Sequence, residues 1–201
     1  MSSSVQRKRI HPQKFAMWIA IASIAMMFAG FTSGYMVRKA QDNWRFFQMP
    51  VIFWVSTACI ILSSVTLTMG VKAFKSRRMQ QYRTLITLTL LLGVLFGVCQ
   101  AFGFYQLYHQ PQLVNISGTV EQVAKTVRVD GNPSESFLFI ITGMHLLHIL
   151  GGIVALVIVF FRAYRTNLKV YNATGLEIVA TYWHFVDILW IYLFVFFLAN
   201  Q

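Results

Sequence analysis

The stretch LITLTLLLGVLFGVCQAFGF, Leu85 to Phe104, decides the fold. It carries no Lys, Arg, Asp or Glu. A bilayer's hydrocarbon core is about 30 Å thick and takes about 20 apolar residues to cross as α-helix. A barrel strand would alternate apolar and polar residues over about ten positions. Leu88-Thr89-Leu90-Leu91-Leu92-Gly93-Val94-Leu95-Phe96 does not alternate. In lipid the backbone must satisfy its own hydrogen bonds, so helix is what remains.

Four further runs read the same way: Phe15–Val37, Val51–Val71, Phe137–Phe161 and Ile178–Ala199. None contains Lys or Arg, and all four prolines lie outside them. Pro50 precedes the second run, and Asn132-Pro133-Ser134 precedes the fourth, at suitable helix-entry positions. The expected fold is all-α: an integral membrane bundle of five transmembrane helices in one domain, residues 1–201. Composition agrees, with 57% hydrophobic and 11% charged residues, against roughly 45–50% and about 25% in soluble domains. The first run is too long for a signal-peptide core, so it is expected to be a true span.

The net charge of +11 sits mostly between the apolar runs, as in Arg7-Lys8-Arg9 and Arg77-Arg78, instead of forming a basic face on a soluble fold. Nucleic acid is therefore not an expected partner. Lys and Arg near span ends set orientation instead. The N-terminal tail, second loop and fourth loop share one side and hold twelve of them; the first and third loops hold five. This places the N-terminus inside and the C-terminus outside.

The third loop, Tyr105 to Ser136, contains Glu121, Asp130 and Glu135, half of all the acids. Within it, Gln122 to Val129 is expected to form a short amphipathic surface helix. Asn115-Ile116-Ser117 matches a glycosylation acceptor and is read as a chance match. Cys59 and Cys99 lie inside apolar runs with no CxxC partner, which argues against a disulfide framework. There is no internal repeat, and an odd number of spans argues against a duplicated transporter half.

Small residues at four-residue spacing mark close helix contacts in lipid. Gly93, Gly97 and Ala101 form such a series in the third span. Gly30 and Gly34 do so in the first, and Gly151 and Ala155 in the fourth.

Polar residues in the last two spans carry the chemistry. Asp187 is the only acid deep within an apolar run. Insertion of a carboxylate at the bilayer centre costs about 2.5–3.5 kcal/mol, so it is expected to be paired, neutral or turned into the bundle. His184 lies three residues before it, Glu177 begins the same span, and His145 and His148 lie three apart in the preceding span. Three readings are open. A haem or metal site is one, although a three-residue spacing brings both rings to the same side of one haem. A proton relay through Asp187, His184 and Glu177 is another. The third is a structural polar cluster that ties helices together and holds lipid head groups at one end. No phosphate-cradling Gly loop, nucleophile elbow or HExxH occurs.

Thr142-Gly143-Met144-His145-Leu146-Leu147-His148, then Gly152, then Phe160-Phe161-Arg162, resembles the penultimate helix of subunit III of the haem–copper oxidases. Glu177 followed by Tyr182-Trp183-His184-Phe185-Val186-Asp187 and Trp190 resembles its last helix, and Leu91 to Ala101 the helix before those two. The resemblance is strong from about Leu85 to Leu198 and weaker before. The full-length family form has seven spans; this chain is similar to the short bacterial form that lacks the first two, which preserves the orientation read from charge.

Two departures stand out. Ser23-Ile24 stand where the family often has a glutamate, and Phe102-Gly103 where it often has an acid after Gln-Ala. Roles assigned to those carboxylates do not transfer.

The resemblance implies a non-catalytic subunit of a proton-pumping terminal oxidase that reduces oxygen to water. Such a subunit belongs to an enzyme complex without a redox centre of its own. Haem and copper are expected in partner subunits, and the partners are subunits I and II, phospholipids and, in some organisms, a respiratory supercomplex. The resemblance also implies a lipid-holding cleft, help with proton uptake and oxygen access, and protection during turnover. The location implied is the bacterial inner membrane. The resemblance carries over His148, Glu177, Trp183, His184 and Asp187; with His145 and Arg162 from the reading of the residues, the candidates are His145, His148, Glu177, His184 and Asp187 as a polar cluster, and Arg162, Trp183, His184 and Glu177 at lipid. Cytochrome c is the expected electron donor; a quinol oxidase subunit III and an accessory protein of nitric oxide reductase are the alternatives.

Overall fold

A computed structural model describes residues 12–39, 49–109, 112–116, 119–123, 133–165 and 173–200. Five long helices cover the five apolar runs: α1 Pro12–Lys39, α2 Ile52–Lys75, α3 Met79–His109, α4 Pro133–Tyr164 and α5 Ala173–Ala199. All five are long and apolar enough to cross a membrane. Most extend past the apolar runs, because helix hydrogen bonding continues through the polar residues at the interface. Pro12 and Pro133 open α1 and α4, where the missing N–H costs nothing.

Between α3 and α4 the chain forms two short strands, β1 Gln112–Ile116 and β2 Thr119–Val123. They pair antiparallel, with Gln112 opposite Val123 and Ile116 opposite Thr119. The amphipathic helix expected from Gln122 to Val129 is thus corrected at its start, since Gln122 and Val123 belong to β2; the rest lies outside the described residues. Val114, Ile116, Thr119, Val120 and Val123 are β-branched, which favours the pleated form. Ser117 of the glycosylation match, the basic tail Arg7-Lys8-Arg9, and Arg45, Lys125, Arg128 and Lys169 also lie outside the described residues.

A tight turn joins α2 to α3. The Arg78 N–H donates to the Ala73 carbonyl and the Arg77 N–H to that of Phe74, with Arg77 at φ 57°. This is a Schellman closure with a left-handed residue at the position glycine usually takes.

α5 is the hub. It packs on α1, α2 and α4, while α3 closes the ring between α2 and α4. α1 packs on α4 and α5 but, among the described residues, not on α2 or α3. Burial follows: 44% of the apolar stretch of α5 is enclosed, against 11% of that of α1. Two apolar cores flank α5. One gathers Phe53, Ile60, Ile86, Phe96, Leu156, Trp183 and Trp190. The other gathers Phe28, Tyr35, Leu138, Ile141, Leu193 and Phe197. The outward faces keep large apolar side chains such as Leu91, Val98, Leu147, Phe161, Ile188 and Val195 exposed. Lipid solvates such a surface and water does not.

The expected small-residue contacts divide. A Cβ on Gly93 would meet Trp183 at 2.9 Å, one on Gly97 would meet Ile153 at 3.5 Å, and one on Gly34 would meet Phe137 at 3.1 Å. A Cβ on Gly30 would meet no side chain or other helix within 4 Å among the described residues, and Ala101 is exposed. Two of the closest approaches involve Gly152 against Trp183 and Gly103 against Phe53.

Candidate functional site

α2 presents a line of hydroxyls to α5 and α3. Ser56 and Ser63, and likewise Thr57 and Ser64, stand seven residues apart, which is two helical turns and so one face. The indole N–H of Trp183 donates to Ser63 Oγ at 3.1 Å, and that of Trp190 to Thr57 Oγ1 at 3.0 Å. Gln100 Nε2 on α3 donates to Ser56 Oγ at 2.9 Å. An interhelical hydrogen bond in lipid is worth about 0.6 kcal/mol on average, so the series fixes register more than it binds.

Trp183 is fully buried. Its six-membered ring slots between Gly93 on α3 and Gly152 on α4 while its N–H reaches α2. One side chain of α5 therefore touches three other helices. Although expected at lipid, it lines neither of the two cavities described below.

His184 continues the polar line. Its Nδ1 lies 2.6 Å from Ser64 Oγ and its Nε2 3.3 Å from Thr68 Oγ1. The Thr68 hydroxyl donates to the Ser64 carbonyl at 3.0 Å, so it accepts from Nε2–H, and the Ser64 hydroxyl donates to Nδ1. Asp187 Oδ2 lies 4.0 Å from His184 Nδ1. The Asp187 side chain is enclosed close to the Ser64 hydroxyl, and neither carboxyl oxygen has a hydrogen bond of standard geometry among the described residues.

The five residues expected as one cluster separate into three groups. His184 and Asp187 come together beside Ser64. Glu177 sits farther toward the start of α5, bridging Lys14 of α1 and Lys75 of α2 at 2.5 and 2.7 Å. The two histidines of α4 belong to the apolar core. His145 is fully buried, stacks on Trp190 with ring centroids 5.4 Å apart, and has no hydrogen-bond partner for either ring nitrogen among the described residues. His148 Nδ1 bonds the Met144 carbonyl of its own helix at 2.7 Å and meets the edge of Phe28. Among the described residues no three His, Cys, Asp or Glu side chains converge as a metal-ligand group.

Among the described residues the backbones of α1 and α2 do not approach closely, and a cavity of about 540 Å³ lies between them with α5 as its floor. Lys14, Lys72, Lys75 and Glu177 contribute its charged groups; Met17, Trp18, Val71 and Ile178 give it apolar wall. Thr68, Thr181 and His184 join the two, so His184 connects the cavity to Ser64 and Asp187. A smaller cavity of about 290 Å³ lies near the end of α4, lined by Phe74, Tyr82, Leu176, Val179 and Arg162. Beside it the Arg83 Nε–H caps α4 by donating to the Ala163 carbonyl at 2.9 Å.

The α2 hydroxyls and the three lysines were not singled out by sequence reasoning. The seven-residue repeat of Ser and Thr was a usable signal. The lysines are visible in sequence only as span-flanking charge, since their meeting in one cavity with Glu177 depends on which helices adjoin.

A model of the family described as cytochrome c oxidase subunit III matches residues 13–199. The chain is 33% identical over 181 residues to a probable cytochrome c oxidase subunit 3 of Nocardia farcinica, covering 88% of this chain and 82% of that protein. It is 32% identical over 178 residues to cytochrome c oxidase subunit 3 of Corynebacterium diphtheriae, covering 85% and 79%. A probable cytochrome c oxidase subunit 3 of Rickettsia bellii is 32% identical over 145 residues, 71% of this chain but only 46% of that protein.

Proposed function

Since this chain belongs to the cytochrome c oxidase subunit III family, a multi-pass membrane subunit of a terminal oxidase in aerobic electron transport, we propose that it docks on the catalytic subunit I and holds phospholipid between its helices. The chain holds no haem or copper in this reading; those lie in subunits I and II. The membrane is the bacterial inner membrane, with the basic end of the bundle, at Lys14, Lys72 and Lys75, on the inside. Twelve Lys and Arg on that side against five on the other support this orientation. The names of the relatives favour cytochrome c as donor.

The observation that carries the lipid reading is the cavity between α1 and α2. Its basic groups lie at helix ends, where head groups are, and its apolar wall continues inward from them. Arg162 beside the smaller cavity offers a second phosphate contact. Glu177 keeps the first cavity in shape by bridging α1 and α2. Trp183 acts as the internal wedge that sets α5 against α2, α3 and α4. His184 and Asp187 extend the polar wall inward; His145 and His148 pack the α4 core.

Deleting the chain from cells that keep the other oxidase subunits tests the proposal. The haem spectrum of the remaining complex should persist, while the oxidase loses activity after fewer turnovers. Loss of a haem signal in proportion to this chain, or unchanged lifetime together with unchanged lipid content, would overturn it.

A further inference from the structure

Cys59 on α2 and Cys99 on α3 are free thiols, each half-buried. Among the described residues α2 and α3 share the most extensive contact of any two helices. Four contacts give their register. A Cβ on Gly103 would meet Phe53, Gln100 bonds to Ser56, a Cβ on Gly70 would meet Ile86, and the Phe74 ring lies 5.0 Å from that of Tyr82. Every advance along α2 is matched by an equal retreat along α3, so the seam is one continuous antiparallel zipper. The same steps set Ile60 opposite Phe96, both fully buried in one core. Cys59 lies between Ser56 and Ile60, and Cys99 between Phe96 and Gln100, so the two cysteines flank the same pair of layers.

They also share a side. On the inward flank Thr57 takes the Trp190 N–H, and a Cβ on Gly97 would meet Ile153 of α4. The cysteines take the outward flank, Cys59 in line with Val55 and Leu62, Cys99 in line with Leu95 and Phe102, four exposed apolar residues. The two thiols are close enough to act on each other electrostatically. Seven residues past Ile52, Cys59 stands about 10 Å inside the end of α2, at the depth of the acyl chains.

Thiol reactions that pass through a thiolate need surroundings that support its charge, and the residues in line with this pair are apolar. Transfer of a hydrogen atom separates no charge and proceeds in hydrocarbon. We propose that Cys59 and Cys99 are a paired hydrogen-atom donor to peroxyl radicals of the surrounding lipid. Each S–H bond breaks homolytically, and its hydrogen atom passes to one peroxyl radical, which leaves as a hydroperoxide. The two sulfur radicals pair their odd electrons in one S–S bond between α2 and α3. Two peroxyl radicals are reduced and two thiols oxidised, with no proton released and no further oxidant required.

The oxidase complex in its native membranes would be exposed to peroxyl radicals made within the bilayer by a lipid-soluble azo initiator, or at equal flux in water by a charged one. Free thiols would then be alkylated and the digested peptides mapped by mass spectrometry. Radicals in the bilayer should join the Cys59 and Cys99 peptides by a disulfide, two hydrogens lighter than the separate peptides, with both free thiols lost together. Radicals in water should leave most of both thiols free, and Cys59→Ser should abolish the disulfide. Thiols that stay free under bilayer radicals, loss of one thiol without the other, or sulfur oxyacids in place of the disulfide would overturn the pairing. Equal cross-linking by the two initiators would overturn the lipid-borne route.

Discussion

Gly93→Ala puts the interlock around Trp183 under direct test. A Cβ at residue 93 would lie 2.9 Å from both Cζ2 and Cη2 of the indole. Carbon atoms in good contact sit about 3.5–4.0 Å apart, so the ring must move by more than half an ångström. It has little room to do so. Its neighbouring edge, Cε3 and Cζ3, already stands 2.9 Å from where a Cβ on Gly152 would be, and its N–H is held by Ser63 at 3.1 Å. Retreat from both glycines stretches that bond. Overpacking of this kind costs about 1–3 kcal/mol, and the strained hydrogen bond about 0.5–1 kcal/mol more. Alanine's better helix propensity returns up to about 1 kcal/mol. The net loss is therefore about 0.5–4 kcal/mol. Gly152→Ala should cost a similar amount, and Gly30→Ala, with nothing within 4 Å, should be neutral or slightly stabilising. Thermal unfolding of the detergent-purified chain, followed by circular dichroism, reads all three. Combining Gly93→Ala with Trp183→Phe should cost less than the two single losses added, since the smaller ring frees the space. Equal midpoints for Gly93→Ala and Gly30→Ala would refute the packing argument.

Three other outcomes follow from the same geometry. Ser63→Ala leaves the buried Trp183 N–H without its acceptor and should cost about 1 kcal/mol in the same unfolding assay, while Ser23→Ala, on an exposed face, should not register. Glu177→Gln removes a half-exposed bridge between α1 and α2, so its cost should stay below about 1 kcal/mol and disappear at high salt. Asp187→Leu should support assembly of the oxidase better than Asp187→Lys, because an enclosed position tolerates an apolar group and not an unpaired cation. Full assembly with equal loss of turnover in both variants would instead favour a proton relay through Asp187.

The spans were legible because lipid imposes a single rule on the backbone: about 20 apolar residues that hydrogen-bond within themselves. Their ends were less so. Polar residues such as Glu177 and Lys75 extend the helices beyond the apolar runs, where composition gives no signal. The β1–β2 pairing depends on register between two short segments, and the stretch from Gln122 read equally well as an amphipathic helix. Small residues foretold Gly93 and Gly97 but also Gly30, because spacing does not say which face meets a partner. The same limit governs the site. His184 and Asp187, three apart on one helix, were legible as neighbours. Their partner Ser64, and the distance of His145 from both the lysines and Glu177, follow only from how α2, α4 and α5 are set around one another.

In the proposed function this bundle serves an oxidase whose redox centres lie in other chains. Purification from its native membrane through a tag on this chain, with haem and each subunit counted, tests that most directly. One haem–copper catalytic subunit per tagged chain is expected, with all haem absorbance lost when mild detergent strips the tagged chain free. A chain that purifies alone, or one that keeps stoichiometric haem after stripping, would contradict it.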